Sequence, residues 1–434
     1  MNSVFKPILS FRLVFKPKGH LFCGRRLSSR MSLSADEVSR YSRQMLCQEV
    51  GKSGQLALKA TSVLIVGCGG LGCPASLYLT AAGIGRIGLV DNDVVDRSNL
   101  HRQVLHNETR VGKLKTDSAV ESLKSINSNV ILEPIECRLN RTNASDIISK
   151  YDIIIDGTDN PMARYLLSDV CVLNKKPLVS GSALRFDGQL TVYNYDSNTP
   201  CYRCLFPTPP PAGTVTNCND GGVIGVIPGI IGDMQALETI KIAIGRRPSY
   251  AGQLLLFDGL NGSFKSIKLR GKSADCISCG PNATIGQELM DYEEFCGVQC
   301  NQSQSLKILA PEERMSCKEY EINYLNAKID HLLIDVRPKL QAEITKLENA
   351  LSIPLEDLQK GNGFEILEDL IDKEMNRNKN KVNVIFMCRR GNASQKAVKL
   401  LKSKITTNDK ILIKDITGGL EAWVKEIDPT FPMY

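Results

Sequence analysis

The sequence predicts an α/β protein: a doubly wound, mostly parallel sheet followed by a second, smaller α/β domain. Three observations carry this. A Gly-rich turn joins the apolar run at 63–66 to a helical pattern ending at Ala82. Apolar runs and helical patterns then alternate to about residue 185, and a second alternation begins near residue 313. The division expected is a basic tail at 1–35, a first domain at 36–285, a polar linker at 286–312 and a second domain at 313–434.

Val63–Val66 reads as a buried strand, and Gly67, Gly69, Gly70 and Gly72 supply the tight turn ahead of a helix over 74–82. A second strand, Ile87–Val90, ends in Asp91. This is a Gly-x-Gly-x-x-Gly turn with an acidic residue about 20 positions on, inside a βαβ unit. A helix at 112–126, a strand at 130–135, a strand ending at Asp156–Asn160 and a helix at 161–174 continue the pattern. After residue 185 come the alternating segments "GQLTVYNY", "GQLLLFDGL" and "GSFKSIKL", broken by a Pro/Gly-rich loop and a helix at 233–245. The second domain reads as strand "HLLIDVRP", helix 339–349, strand "ALSIPL", helices over 355–375, strand "VNVIFMC", helix 394–404, strand "KILIKDI" and helix "GGLEAWVKE".

Net charge gives no support for polyanion binding by the folded body. The chain has 54 Lys and Arg against 47 Asp and Glu. Residues 1–35 hold Lys6, Arg12, Lys16, Lys18, Arg25, Arg26 and Arg30 without one acidic residue, so the remainder is neutral and no direct nucleic-acid partner is expected. The tail has the composition of a transit peptide or of a disordered extension, so a cytosolic site is expected, or a mitochondrial one if the tail targets. No stretch reaches the roughly 18 apolar residues of a membrane helix. Fifteen cysteines without a secretory leader point to metal binding or thiol chemistry rather than a disulfide framework, and four histidines supply little imidazole chemistry.

The Gly-rich turn alone most often means a nicotinamide or flavin nucleotide, with Asp91 on the ribose. Asn99 and Arg102 past the acidic strand end, Lys115 at the next helix start, and Asp159 and Asn160 at a strand end disagree with that. Cations and a carboxylate converging on one crevice suit charge developing on phosphates, with the carboxylate available to magnesium. "CYRC" (Cys201, Cys204) and "CISC" (Cys276, Cys279) are two knuckles whose four thiolates suit a closed, structural zinc site, against independent thiols or disulfides. Cys218 lies in the Pro/Gly-rich loop away from any pair, and Cys296 and Cys300 are bridged or free. Cys388 follows a strand and opens "CRRGNASQ", where Arg389, Arg390 and the start of a helix all favour a thiolate.

Together, "RYSRQ", "GCGGLG", "SNLHRQ", the Lys115 segment and "TDN" resemble the Rossmann-like adenylylation domain of the ubiquitin-activating superfamily. "IDVRP", "SIPL", "CRRGNASQ" and "GGLEAW" resemble a rhodanese domain. That order, over residues 36–434, is similar to the adenylyltransferase-and-sulfurtransferase family of molybdenum cofactor synthesis. The resemblance implies that Gly70, Asp91, Ser98, Asn99, Leu100, His101, Arg102, Lys115, Asp159 and Asn160 bind ATP and its Mg2+. It implies that Arg43 reaches the neighbouring subunit's site in a homodimer, and that one structural zinc sits on the four paired cysteines. It also implies that Cys218 forms a thioester or resolves an acyl disulfide, and that Cys388 carries a persulfide. The implied partners are ubiquitin-like sulfur carriers ending in Gly-Gly (the molybdopterin synthase small subunit and the ubiquitin-related modifier of tRNA thiolation) and a cysteine desulfurase as sulfur donor. Ala393 stands where the family often has Asp, which leaves the loop more positive.

Overall fold

The computed structural model describes residues 32–210, 221–286, 288–297, 306–377, 381–405 and 410–433. The chain divides into two compact units, Met1–Cys300 and Asn301–Tyr434. Among the described residues no helix is long and apolar enough to cross a membrane.

The first unit opens with helices α1 (Ala35–Met45) and α2 (Gly51–Ala60), which the sequence reading left unassigned. Ser34 and Glu37 close a capping box that starts α1, satisfying backbone N–H groups at its first turn. Strand β1 (Ser62–Val66), helix α3 (Gly72–Ala82), strand β2 (Arg86–Asp91), helix α4 (Lys115–Ile126) and strand β3 (Ile131–Glu136) follow. Next come α5 (Ala144–Ile148), β4 (Ile153–Asp156), α6 (Pro161–Leu173), β5 (Leu178–Leu184), β6 (Asp187–Tyr193) and α7 (Tyr202–Leu205). Helix α8 (Val226–Ala243), β7 (Gln253–Asp258), β8 (Ser263–Lys268) and α9 (Tyr292–Cys296) complete the unit.

The strands run in the order β3-β2-β1-β4-β5-β6-β7-β8. They are parallel from β3 to β5 and antiparallel from β5 to β8. Val63, Leu64 and Ile65 are fully buried because helices cover both faces, which is why β1 reads as a continuous apolar run. The strand order reverses between β1 and β4, so the crevice at their carboxyl ends is the switch point where such sheets bind ligands.

Two expectations are corrected here. The helix read at 233–245 starts at Val226, because Pro228 falls in its first turn, where its missing N–H has no intrahelical partner to lose. Part of the expected linker is folded: Leu289, Tyr292 and Cys296 are buried in the first unit's core, and Tyr292 Oη donates to Asp169 at 2.8 Å. Cys296 is a free buried thiol, and Cys300 lies outside the described residues.

The second unit contains β9 (Arg314–Met315), α10 (Cys317–Tyr320), β10 (Leu332–Asp335), α11 (Lys339–Ile344), β11 (Leu351–Ser352), α12 (Leu355–Lys360) and α13 (Asn362–Arg377). Strand β12 (Val382–Met387), helix α14 (Ala393–Lys404), strand β13 (Ile411–Ile416) and helix α15 (Gly419–Glu426) follow. Its sheet has the order β11-β10-β12-β13-β9, parallel throughout. β12 is central and buried, so the residue after it, Cys388, emerges at the carboxyl edge of the sheet. At the end of β10, Arg337 Nε donates to both carboxylate oxygens of Asp335, at 2.9 and 3.0 Å, with both side chains buried. Removing one partner of such a pair costs about 3–5 kcal/mol, since the other charge is left buried alone.

Candidate active site

The Gly-rich turn of the first unit is fixed from several sides. Gly67 has φ +99°, and a Cβ there would lie 2.7 Å from the carbonyl oxygen of Gly157, so the loops after β1 and β4 meet backbone to backbone. The Asp91 carboxylate accepts the N–H of Cys68 and of Asp93, each at 2.8 Å, tying the end of β2 to the same turn. Gly70 faces Pro228 and Arg102, where a Cβ would come within 3.1 and 3.4 Å of their side-chain carbons.

Asp96 caps the 3-10 turn Arg97–Asn99. Past it, the Arg102 guanidinium donates to Asn99 Oδ1 at 2.7 Å and to the Ser98 carbonyl at 3.4 Å. It also meets His101 Nε2 at 2.7 Å, and since Arg can only donate, that nitrogen accepts. Burial, then Arg102, lowers the His101 pKa, in keeping with a neutral ring. Ser98 and His101 are exposed, and Asn99, Leu100 and Arg102 half-buried. Lys115, buried at the start of α4, donates to Asp93 at 2.8 Å.

At the end of β4, the buried Asp156 carboxylate accepts from Thr158 N–H at 3.0 Å and from Ser180 Oγ at 2.7 Å, shaping the loop that carries Asp159. Asp159 is exposed, and Asn160 caps α6 by accepting the Ala163 N–H at 2.9 Å. Gly70, Asp91, the 98–102 segment, Lys115, Asp159 and Asn160 thus come from loops that border one crevice. Arg43 does not. Its helix α1 packs at the far end of α3, where Gln44 donates to the Ala82 carbonyl at 2.8 Å. That is about 15 Å along the helix from Gly72, at 1.5 Å per residue.

His106 is a support the sequence reading missed. It is buried behind the Gly-rich turn, with Nε2 3.0 Å from the Cys68 carbonyl and Nδ1 2.9 Å from Ser118 Oγ. A carbonyl only accepts, so the proton sits on Nε2, and burial is the main cause of a lowered pKa.

The four knuckle cysteines converge, their sulfurs all within 4.8 Å of one another. Cys201 lies 3.7 Å from Cys204 and 3.5 Å from Cys276, and Cys204 lies 3.3 Å from Cys279. Tetrahedral ligation at about 2.3 Å sets sulfurs about 3.8 Å apart, so the cluster could hold one metal ion with no open position. Beside it, Arg203 is paired with Asp169, both buried, which locks α7 to α6.

In the second unit the Cys388 sulfur accepts the N–H of Gly391 at 3.2 Å and of Ser394 at 3.4 Å. Gly391 has φ +76°, which turns the loop so that these amides face the sulfur. Arg389 and Arg390, expected to favour a thiolate, are themselves paired: their Nε atoms lie 3.2 and 2.9 Å from Glu421 Oε1. Glu421, on α15, was invisible as a partner because it is 31 residues from Arg390 in sequence. Cys218 lies outside the described residues.

Residues 41–278 match the ThiF family and residues 321–426 the rhodanese-like domain. The chain is 49% identical to "Adenylyltransferase and sulfurtransferase MOCS3" of Xenopus laevis, over 94% of this chain and 90% of the relative. It is 50% identical to the protein of the same name from Danio rerio, over 93% and 88%. Among solved structures, E. coli MccB with MccA-N7isoASN aligns at TM-score 0.49 and 25% identity, over 56% of this chain and 74% of that one. A ThiF unit with a switch-point crevice, joined to a rhodanese unit with an amide-cradled cysteine and matched along nearly the whole length, admits one assignment: the chain belongs to the adenylyltransferase-and-sulfurtransferase family, combining nucleotidyl transfer and sulfur transfer.

Proposed function

We propose that the enzyme activates the C-terminal glycine of a ubiquitin-like sulfur carrier with MgATP and then replaces the adenylate by sulfur carried on Cys388. The carrier carboxylate attacks the α-phosphorus, and pyrophosphate leaves with the bonding electron pair. Lys115 and Arg102 neutralise charge at the phosphoryl group as it becomes five-coordinate. Asp159, at the exposed strand end, holds the magnesium that arrives with the nucleotide. Arg43 is exposed on α1, away from its own crevice, which suits supply from a second protomer of a homodimer.

The Cys388 persulfide, loaded by a cysteine desulfurase, attacks the acyl carbon, and AMP leaves. The product is an acyl disulfide. Cys218 either resolves it, releasing the thiocarboxylate and leaving a disulfide for a thiol reductant, or first takes the acyl group as a thioester. The carriers fitting this chemistry are the molybdopterin synthase small subunit and the modifier of tRNA thiolation. Zinc on the four cysteines staples the ends of the 201–279 segment together, and no step passes through it.

The observation that carries the reading is the sulfur of Cys388 facing two backbone N–H groups in a chain that also has the phosphate-type crevice. The test is ATP–pyrophosphate exchange that requires a carrier ending in Gly-Gly, with thiocarboxylate formed only when a sulfur donor is added. Exchange with a carrier lacking the last glycine, or none with the intact one, contradicts it.

A further inference from the structure

Behind Cys388 runs a chain of buried polar groups. The Cys388 thiol donates to Ser394 Oγ at 3.5 Å, and Ser394 Oγ donates to Asp415 Oδ2 at 3.0 Å. Cys388 is 3% exposed, and Ser394 and Asp415 are fully buried. The same Asp415 carboxylate takes two hydrogen bonds from Arg314, at 2.8 and 3.0 Å, and Arg314 also donates to the Gly391 carbonyl at 3.2 Å. Strand β13 and the first turn of α14 therefore bring a carboxylate and a hydroxyl into line with the sulfur.

We infer that Ser394 and Asp415 are the proton acceptor of Cys388. This rests on the reading of Cys388 as the sulfur carrier and says how a buried thiol becomes a nucleophile. As Sγ attacks the sulfane sulfur of a donor, its proton passes to Ser394 Oγ while the hydroxyl proton passes to Asp415 Oδ2. The new S–S bond forms, the donor's S–S bond breaks, and the electron pair leaves on the donor group. With thiosulfate, sulfite leaves, the sulfur moves as a neutral atom and no external oxidant is required. Asp415 later returns its proton to solvent. Ser394 touches the reacting sulfur; Asp415 acts through it and is a positioning residue that receives the proton.

The alternatives for this task are committed elsewhere. His331, the sole histidine after residue 106, is bound to Tyr320 Oη and the Ile329 carbonyl, each at 2.8 Å. Arg389 and Arg390 carry only donors, so neither can take the proton. Around Asp415, Arg314 lies on one side, and Glu313, itself paired with Lys402, lies near enough to be felt. Burial raises the Asp415 pKa against the lowering effect of Arg314 and Ser394, which makes it a better proton acceptor.

The experiment follows loading of full-length protein from thiosulfate, read as sulfite release and as gain of one sulfur atom on Cys388, across pH. Asp415→Asn keeps hydrogen-bonding capacity but removes the base. It should load at least about tenfold more slowly near about pH 6 and approach wild type as the pH rises and hydroxide serves as the base. Ser394→Ala leaves the Asp415–Arg314 pair in place and should show the same profile, the double variant should be no slower, and Ser394→Thr should restore loading. Unchanged or faster loading in Asp415→Asn near about pH 6, as expected if the carboxylate only opposes a thiolate, overturns the inference; an equal loss at every pH does so too. Wild type that gains no sulfur on Cys388, matching Cys388→Ala, removes the underlying reading as well.

Discussion

Nε of Arg390 lies 2.9 Å from Oε1 of Glu421, and Nε of Arg389 lies 3.2 Å from the same oxygen. One carboxylate on α15 thus offsets two cations beside Cys388, while two backbone amides and the Ser394 hydroxyl meet the sulfur itself. Glu421→Gln should release both guanidinium groups and raise the neutral-pH alkylation rate of Cys388 by about two- to fivefold, the range of partly exposed ion pairs. An unchanged rate would show that these charges do not reach the sulfur.

Metal should act as a staple on the first unit alone. Wild-type protein is expected to carry about one zinc per chain, and Cys276→Ser to lose it and lower the melting temperature of the first unit without affecting the second. Purified wild type holding less than about half an equivalent would count against the closed site.

Asp159→Ala should abolish carrier-dependent ATP–pyrophosphate exchange while leaving thiosulfate cleavage intact, because the two chemistries belong to different units. Full exchange in this variant would take Asp159 out of the magnesium site.

His106 gives the first unit an acid-sensitive joint. Its folded pKa lies below the ordinary histidine value, chiefly through burial, so the unfolded state binds the proton more readily. The stability it contributes is fully present above about pH 6.5 and is lost as pH falls from there towards the lowered folded value. Denaturant midpoints of the first unit should fall over that window, and His106→Gln should flatten the slope. An equal slope in both proteins would assign the acid sensitivity to other groups.

Much of the architecture was legible because strongly local signals coincide with it. Val63–Val66 is apolar because both faces of β1 are covered, and the cysteine knuckles announce their convergence by spacing. What was not legible depends on pairings distant in sequence or on composition that mimics loops. Pro228 and nearby glycines hid the first turns of α8, and the polar surroundings of Tyr292 and Cys296 concealed a buried face. Ser394 was visible in the loop after Cys388, yet its link to Asp415 exists only because β13 lies beside β12 in the sheet.

The central claim is that one enzyme makes an adenylate and then delivers sulfur from Cys388. It is tested most directly by following a Gly-Gly carrier by mass spectrometry with ATP, thiosulfate, a thiol reductant and either wild type or Cys388→Ala. The account predicts thiocarboxylate with wild type, and with the variant an acyl-adenylate that yields none. Thiocarboxylate formed by Cys388→Ala at the wild-type rate would contradict it.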